Sequence, residues 1–232
     1  MGGTILVTGA SRGLGLEFVR QYASDGWRVH ACARNPKTSQ GLQELASRHK
    51  GAVHLHPLDV TDWKAVGALA LELEGESVDI LLNNAGIYGS RDEALGATDP
   101  ERWLEVFAVN AIAPLKMAEA FLGHVASSRL KIIATVSSLM GSISDNTSGG
   151  YYPYRTSKAA VNMVMKGLAV DLKRRGIISV AINPGWVRTD MGGAAAPLGV
   201  ERSVRGMRKV LEGLTRKDSG RFFHYTGEEL PW

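Results

Sequence analysis

The stretch Thr4-Ile5-Leu6-Val7-Thr8-Gly9-Ala10-Ser11-Arg12-Gly13-Leu14-Gly15-Leu16-Glu17-Phe18-Val19 sets the architecture of the chain. Its first five residues are apolar or β-branched and read as a strand. Three glycines then punctuate a turn, and a helical pattern follows. A glycine-rich turn between a strand and a helix lets the backbone fold tightly and come close to a ligand. The free N–H groups and positive end of the helix favour an anion there, such as the pyrophosphate of a dinucleotide. The same spacing occurs in ordinary glycine-rich turns; its place directly after the first strand of a βαβ unit is what favours the binding reading.

Further apolar or β-branched runs occur at Arg28–Ala33, Val53–His56, Asp79–Asn83, Lys131–Ser137, Ile177–Asn183 and Arg221–Tyr225. Between them lie helical patterns near 14–25, 39–50, 61–74, 99–126, 153–175 and 200–215. Runs such as Ile80-Leu81-Leu82 and Ile132-Ile133-Ala134 do not alternate with polar residues, as expected of strands covered on both faces. The expected fold class is α/β, a doubly wound parallel sheet with helices on both faces. No linker divides the chain, so one domain over 1–232 is expected.

Composition excludes several classes. With 44% hydrophobic and 22% charged residues, the chain has material for a sizeable core and is not disordered. The net charge of +4 comes from Lys and Arg scattered along the sequence, with no aromatic-interleaved basic stripe, so no nucleic-acid partner is expected. One cysteine, Cys32, allows no internal disulfide and suits a reducing, cytoplasmic setting. No apolar run is long enough for a membrane span, and no membrane partner is expected. The start Met1-Gly2 is followed by Leu6 where a myristoylation signal needs Ser or Thr, so that reading is discarded. His54 and His56 share a strand face but lack an evident third ligand, so no metal site is expected.

The second strand ends in Ala33-Arg34, without the acidic residue that would bond the ribose hydroxyls of NAD. Arg34 and Arg12, two guanidiniums near the 2′ position, point to NADP(H) in preference to NAD(H). Asp59 suits either an adenine amino group or the cap of the helix near Thr61-Asp62. In Asn83-Asn84-Ala85-Gly86, consecutive asparagines bond neighbouring backbone and Gly86 keeps one side open.

Tyr154 and Lys158, four residues apart, project from one helix face. A buried ammonium beside a phenol is expected to lower its pKa and make an acid/base couple. Tyr151 and Tyr152 have no such partner, since Arg155 and Thr156 stand four residues on. Ser138, after the fifth strand, offers a hydroxyl to a carbonyl oxygen. Asn110 is a polar residue in an apolar helix. Pro184-Gly185 closes the sixth strand, and Thr189 comes next in a loop suited to the carboxamide or phosphates of the cofactor. Tyr88, Met140, Trp186 and Met191 adjoin these motifs as candidates for an apolar substrate pocket. The helix near 153–175 carries so many apolar residues that burial nearly all round is expected, its outer face against another subunit.

The glycine loop, Asn83–Gly86, Ser138 and Pro184–Thr189 each fall at the carboxyl end of a different expected parallel strand, the edge where open α/β sheets bind ligands. In this order they resemble the motifs of the short-chain dehydrogenase/reductase family over nearly the whole chain. The resemblance implies a Rossmann-type sheet of seven strands and a catalytic set of Asn110, Ser138, Tyr154 and Lys158. Tyr154 would exchange the proton and Ser138 orient the carbonyl. Lys158 would hold the nicotinamide ribose and lower the Tyr154 pKa, and Asn110 would anchor a relay water. The cofactor would lie along Gly9, Ser11, Arg12, Gly13, Leu14, Gly15, Arg34, Asp59, Val60, Asn83, Ala85, Gly86, Tyr154, Lys158, Pro184, Gly185, Val187 and Thr189. Ser138 is chosen over Ser137 because Ser-x-x-Gly then matches the family pattern. The sixteen positions from Ser138 to Tyr154 exceed the commonest family spacing by about three, in the loop Ser142–Gly150. With the closing Glu-Glu-Leu-Pro-Trp, this looks like the branch of sniffer-type carbonyl reductases and bacterial C-factor proteins. The resemblance therefore implies an NADPH-dependent reductase of a small aldehyde or ketone, acting as a homodimer or homotetramer. The alternative is an NADP(H)-binding signalling protein with little turnover. Sugar epimerases share the Tyr–Lys pair but use another glycine spacing.

Overall fold

The computed structural model describes residues 2–90 and 95–232. Seven parallel strands form one sheet in the order β3-β2-β1-β4-β5-β6-β7. They are β1 (Thr4–Thr8), β2 (Arg28–Ala33), β3 (Val53–Pro57), β4 (Ile80–Asn83), β5 (Ile132–Val136), β6 (Ile178–Asn183) and β7 (Phe222–His224). Each lies within a residue or so of its expected run, because short buried strands flanked by turn residues leave little room for error. The chain winds outward from β1 to β3, then returns to place β4 on the other side of β1, so the order reverses between β1 and β4.

Successive strand residues serve opposite layers. Ile5 and Val7 face α1 (Gly13–Ser24), α2 (Gln40–Arg48) and α8 (Val200–Gly213), with Phe18, Leu42 and Met207 filling that core. Leu6 and Leu81 face α3 (Trp63–Glu72), α5 (Ala113–Ala120), α6 (Leu122–Ala126) and α7 (Tyr152–Asp171), packing on Leu69, Met117, Val125 and Val161. That is why these strands are apolar at every position.

Two expectations change here. The stretch 99–126 is not one helix: α4 (Pro100–Phe107) passes into a π-turn at Ala108–Ile112 before α5. Pro114 has no N–H to return to the Asn110 carbonyl four residues back, so the regular ladder fails there. The helix expected near 153–175 runs as α7 to Asp171 and tightens to a 3₁₀ turn at Lys173–Arg175. Its inner face is buried, but Met163 and Val170, seven residues apart, stand 72% and 66% exposed, so the chain itself does not bury it all round.

Candidate active site

Loops after β1, β4, β5 and β6 meet at the carboxyl edge of the sheet, around the point where the strand order reverses. The glycine loop is packed against the β4 loop. Thr8 Oγ1 accepts from the main-chain N–H groups of Asn84 and Ala85, both at 3.1 Å, and Asn84 Nδ2 donates to the Thr8 carbonyl at 2.9 Å. A Cβ on Gly9 would lie 2.8 Å from Ala85 Cα, and one on Gly15 only 2.2 Å from the Gly9 oxygen, so both sites require glycine. Asn84, which sequence reasoning left out of the site, thus latches the loop. Asn83 turns inward toward Pro114, 3.5 Å from its carbonyl, rather than toward the cleft.

The first turn of α1 is suited to an anion. Its N-cap, Arg12, makes no capping bond, and the turn contains no acidic residue. Ser39, Asp62 and Asp99 cap α2, α3 and α4, whereas α7 and α8, like α1, start without a side-chain cap. Unsatisfied N–H groups at a helix start fit a phosphate, so the residues present suit a dinucleotide. Thr189 Cγ2 would be 3.5 Å from a Cβ on Gly13, placing the β6 loop across from the glycine turn. Ser39 Oγ donates to the Ser11 carbonyl at 2.7 Å, tying that turn to the loop after β2.

Beyond β2, Arg34 is exposed and its charge helps lower the Asp59 pKa. The main cause of that lowering is Thr61: Asp59 Oδ1 accepts from its N–H at 2.9 Å and its hydroxyl at 2.7 Å. Asp59 is therefore not the cap of α3, which is Asp62. Arg12 pairs with Asp190 at 2.9 Å in solvent, an exposed contact that contributes little.

At the start of α7, Tyr154 and Lys158 are buried, 8% and 5% exposed. The Ser138 hydroxyl is the neighbour that acts to lower the Tyr154 pKa, against burial. Ser138 Oγ accepts from the Met140 N–H at 3.2 Å, which fixes it over a 3₁₀ turn, Leu139–Gly141. Ser137 instead donates to Asn162 Oδ1 at 2.6 Å, inside the protein. Lys158 Nζ donates to the Val136 carbonyl at 2.9 Å and lies 5.6 Å from the Tyr154 ring centroid. Burial pushes the phenol up to about 12, against the Ser138 hydroxyl, and pulls Lys158 down to about 8. The lowering of Tyr154 expected from a nearby ammonium is thus reversed in direction, because desolvation of the phenolate dominates.

Asn110 is held from the π-turn. Its Oδ1 accepts from Ile87 N at 2.9 Å, and its Nδ2 donates to the Ile87 carbonyl at 2.8 Å and Ser157 Oγ at 3.0 Å. Its side chain orders the loop after Gly86, while its main-chain carbonyl has no α-helical donor. Tyr88 stacks on Tyr154 with ring centroids 4.4 Å apart. Met140 is half-buried beside it, and Trp186 and Met191 stand exposed on the β6 loop. Trp186 Nε1 donates to the Gly192 carbonyl at 2.8 Å, and Ser203 Oγ fixes the Pro184 carbonyl at 2.7 Å.

Tyr154 and Lys158 are buried at the same sheet edge as the uncapped start of α1, and a proton donor beside a place for phosphate suits nucleotide-dependent oxidoreductase chemistry. A sequence model of the family described as short chain dehydrogenase matches residues 3–197, and the chain belongs to the short-chain dehydrogenase/reductase family. C-signal of Myxococcus xanthus is 46% identical over 155 residues, 67% of this chain and 93% of that protein. The carbonyl reductase Sniffer of D. melanogaster superposes with a TM-score of 0.94 at 33% identity over the whole of both chains. An NADPH-bound carbonyl reductase from chicken fatty liver does so with a TM-score of 0.92 at 38% identity, covering 99% and 98% of the two chains. The chain is an oxidoreductase of the Sniffer and C-factor-like branch.

Proposed function

We propose that this protein reduces a small aldehyde or ketone to an alcohol with NADPH, over residues 1–232 acting as one catalytic unit. The observation that carries this reading is the buried pair of Tyr154 and Lys158, the ammonium 5.6 Å from the ring centroid, with the Ser138 hydroxyl acting on the phenol. NADP(H), used in preference to NAD(H), supplies the hydride when bound. The first turn of α1 would hold its phosphates, Arg12 and Arg34 the 2′-phosphate, and Lys158 the nicotinamide ribose. Support comes from the uncapped helix start and from relatives solved with NADPH or NADP bound.

The residues of the chain do the rest. Ser138 Oγ bonds the carbonyl oxygen and fixes it within reach of Tyr154. With its pKa near 12, Tyr154 keeps its proton at neutral pH and so holds it ready to donate. The Asn110 carbonyl, which Pro114 cannot reach with an N–H, suits a water that returns a proton by way of Lys158. Tyr154→Phe is expected to abolish NADPH oxidation with an aldehyde panel while leaving the NADPH Kd within about threefold; normal turnover would overturn the assignment.

A second reading, a nucleotide-binding signalling protein, draws on the 46% identity to C-signal. Tight NADPH binding without reduction of any carbonyl in a broad panel would select it. The exposed stripe of Met163 and Val170 on α7, with Leu104 and Ile112 also exposed, supports a homodimer or homotetramer. Cytoplasmic residence fits the single buried Cys32, and among the described residues no helix is long and apolar enough to cross a membrane.

A further inference from the structure

We propose that Tyr151 is a specificity-determining residue of this active site, its ring forming the outer end of an aromatic wall that begins at Tyr154 and selects flat, conjugated carbonyls. The inference rests on the carbonyl-reductase reading and adds to it a residue outside the catalytic set. Among the described residues only two non-glycine positions have positive φ, Lys131 and Tyr151. Gly149, Gly150 and Tyr151 take the left-handed conformation in succession, with φ of 64°, 65° and 50°. Glycine adopts that backbone without strain, whereas a bulky aromatic residue is strained in it. Burial does not explain the choice, since Tyr151 is 40% exposed. Strain kept at an exposed position beside a reacting centre points to a task for the ring.

The geometry shows what that task is. The Tyr151 ring stands edge-on to Tyr88 at 5.9 Å and 69°, and Tyr88 stacks on Tyr154 at 4.4 Å and 29°. The three rings make one continuous surface from the proton donor to solvent, with Met140 Sδ 3.9 Å from the Tyr88 hydroxyl. A substituent on a carbonyl carbon held at Tyr154 and Ser138 runs along this surface. Ring edges and faces favour a planar π system over an alkyl chain.

The wall is held, not loose. Arg155 spreads its guanidinium over the lengthened loop: Nε donates to the Gly149 carbonyl at 3.2 Å, one terminal nitrogen to the Met140 carbonyl at 3.4 Å and the other to Ser148 Oγ at 2.7 Å. Asn146 Oδ1 accepts from Gly149 N at 3.1 Å. On the far side, the Trp232 main-chain oxygen accepts from Ile143 N at 2.9 Å and from the hydroxyls of Ser142 and Ser144, both at 3.0 Å. Arg155, which Tyr151 has in place of a lysine four residues on, is thus a positioning residue.

The test compares kcat/KM for a flat aryl aldehyde and a straight-chain alkyl aldehyde in wild type, Tyr151→Gly and Tyr151→Phe, with Tm and NADPH Kd measured on each. Tyr151→Gly is expected to lower the aryl-to-alkyl ratio about five- to tenfold through loss of the ring contact. Its Tm should hold or rise, because glycine relieves the strain, and its NADPH Kd should not change. Tyr151→Phe should keep the wild-type ratio. An unchanged ratio in the glycine variant, or an equal loss in the phenylalanine variant, overturns the role of the ring. Failure of the wild type to reduce either aldehyde, with NADPH still bound, overturns the reductase reading and this inference with it.

Discussion

Acid should destabilise this fold through one buried histidine chain on the α3 side of the sheet. His30 Nδ1 lies 3.0 Å from His56 Nε2, and His30 Nε2 lies 3.1 Å from Glu76 Oε2. A carboxylate only accepts, so His30 donates from Nε2, and its bare Nδ1 accepts from His56. His56 Nδ1 then faces Glu72 Oε1 at 3.6 Å. His54 stacks on His30 at 5.4 Å, Arg28 pairs with Glu76 at 3.2 Å, and Cys32 stands opposite His56 in the β2–β3 register. Burial, reinforced by the charge of His56 and opposed by Glu76, brings His30 from 6.5 down to about 4. The neutral form is thus favoured in the folded state, and the unfolded chain takes up the proton first. Stability is full above the unfolded value of 6.5 and is lost as pH falls toward 4. The whole shift corresponds to about 3 kcal/mol, of which about 2 kcal/mol is lost between about pH 7.5 and about pH 5. His56, also lowered mainly by burial, adds to the same slope. Urea unfolding across this range measures it, with a fall in Tm of about 4–8 °C as the thermal counterpart. His30→Gln, which keeps a donor toward Glu76 but cannot titrate, should flatten the profile. A His30 imidazole that titrates at or above 6.5 by NMR in the folded protein, or an unaltered slope in His30→Gln, would remove the histidine chain as the cause.

Other substitutions test the cofactor loop, the 2′ site and the outer face of α7. Arg34→Ala should raise the KM for NADPH by about tenfold or more, as expected for one charge-assisted phosphate contact, with little change for NADH; equal effects on both would remove Arg34 from the 2′ site. Gly15→Ala forces a Cβ to 2.2 Å from the Gly9 oxygen, and this overpacking against backbone should cost about 1–3 kcal/mol in urea unfolding, with weakened NADPH binding. Met163→Glu should shift sedimentation toward monomer if the α7 stripe is covered by a second copy; an unchanged assembly moves the interface elsewhere.

The strands, the parallel sheet and the order of the motifs are legible in the amino-acid sequence. Those features rest on local patterning: apolar runs of strand length, glycines where a Cβ cannot fit, and a phenol and an amine on one helical face. Local pattern also separates Ser138 from Ser137, since only the former has a glycine three residues on, where Gly141 packs on Lys158. Whatever depends on surroundings came only with the folded chain. The Tyr154 pKa rises because the fold buries the phenol, which helical spacing cannot reveal. Asn84 rather than Asn83 latches the glycine loop, because strand alternation and the approach of α5 choose which amide turns inward. The histidine chain needs β2, β3 and the end of α3 together. Charge behaves the same way. Arg129, Lys131, Lys173, Arg174, Arg175, Arg216 and Lys217 are scattered in the sequence, yet they occupy three turns at the amino edge of neighbouring β5, β6 and β7. There the Lys131 carbonyl accepts from Ile178 N at 2.8 Å, and Arg216 lies 2.8 Å from where a Gly176 Cβ would stand. Residues far apart along the chain become neighbours only when parallel strands bring their turns to one edge, and no one-dimensional pattern carries that distance.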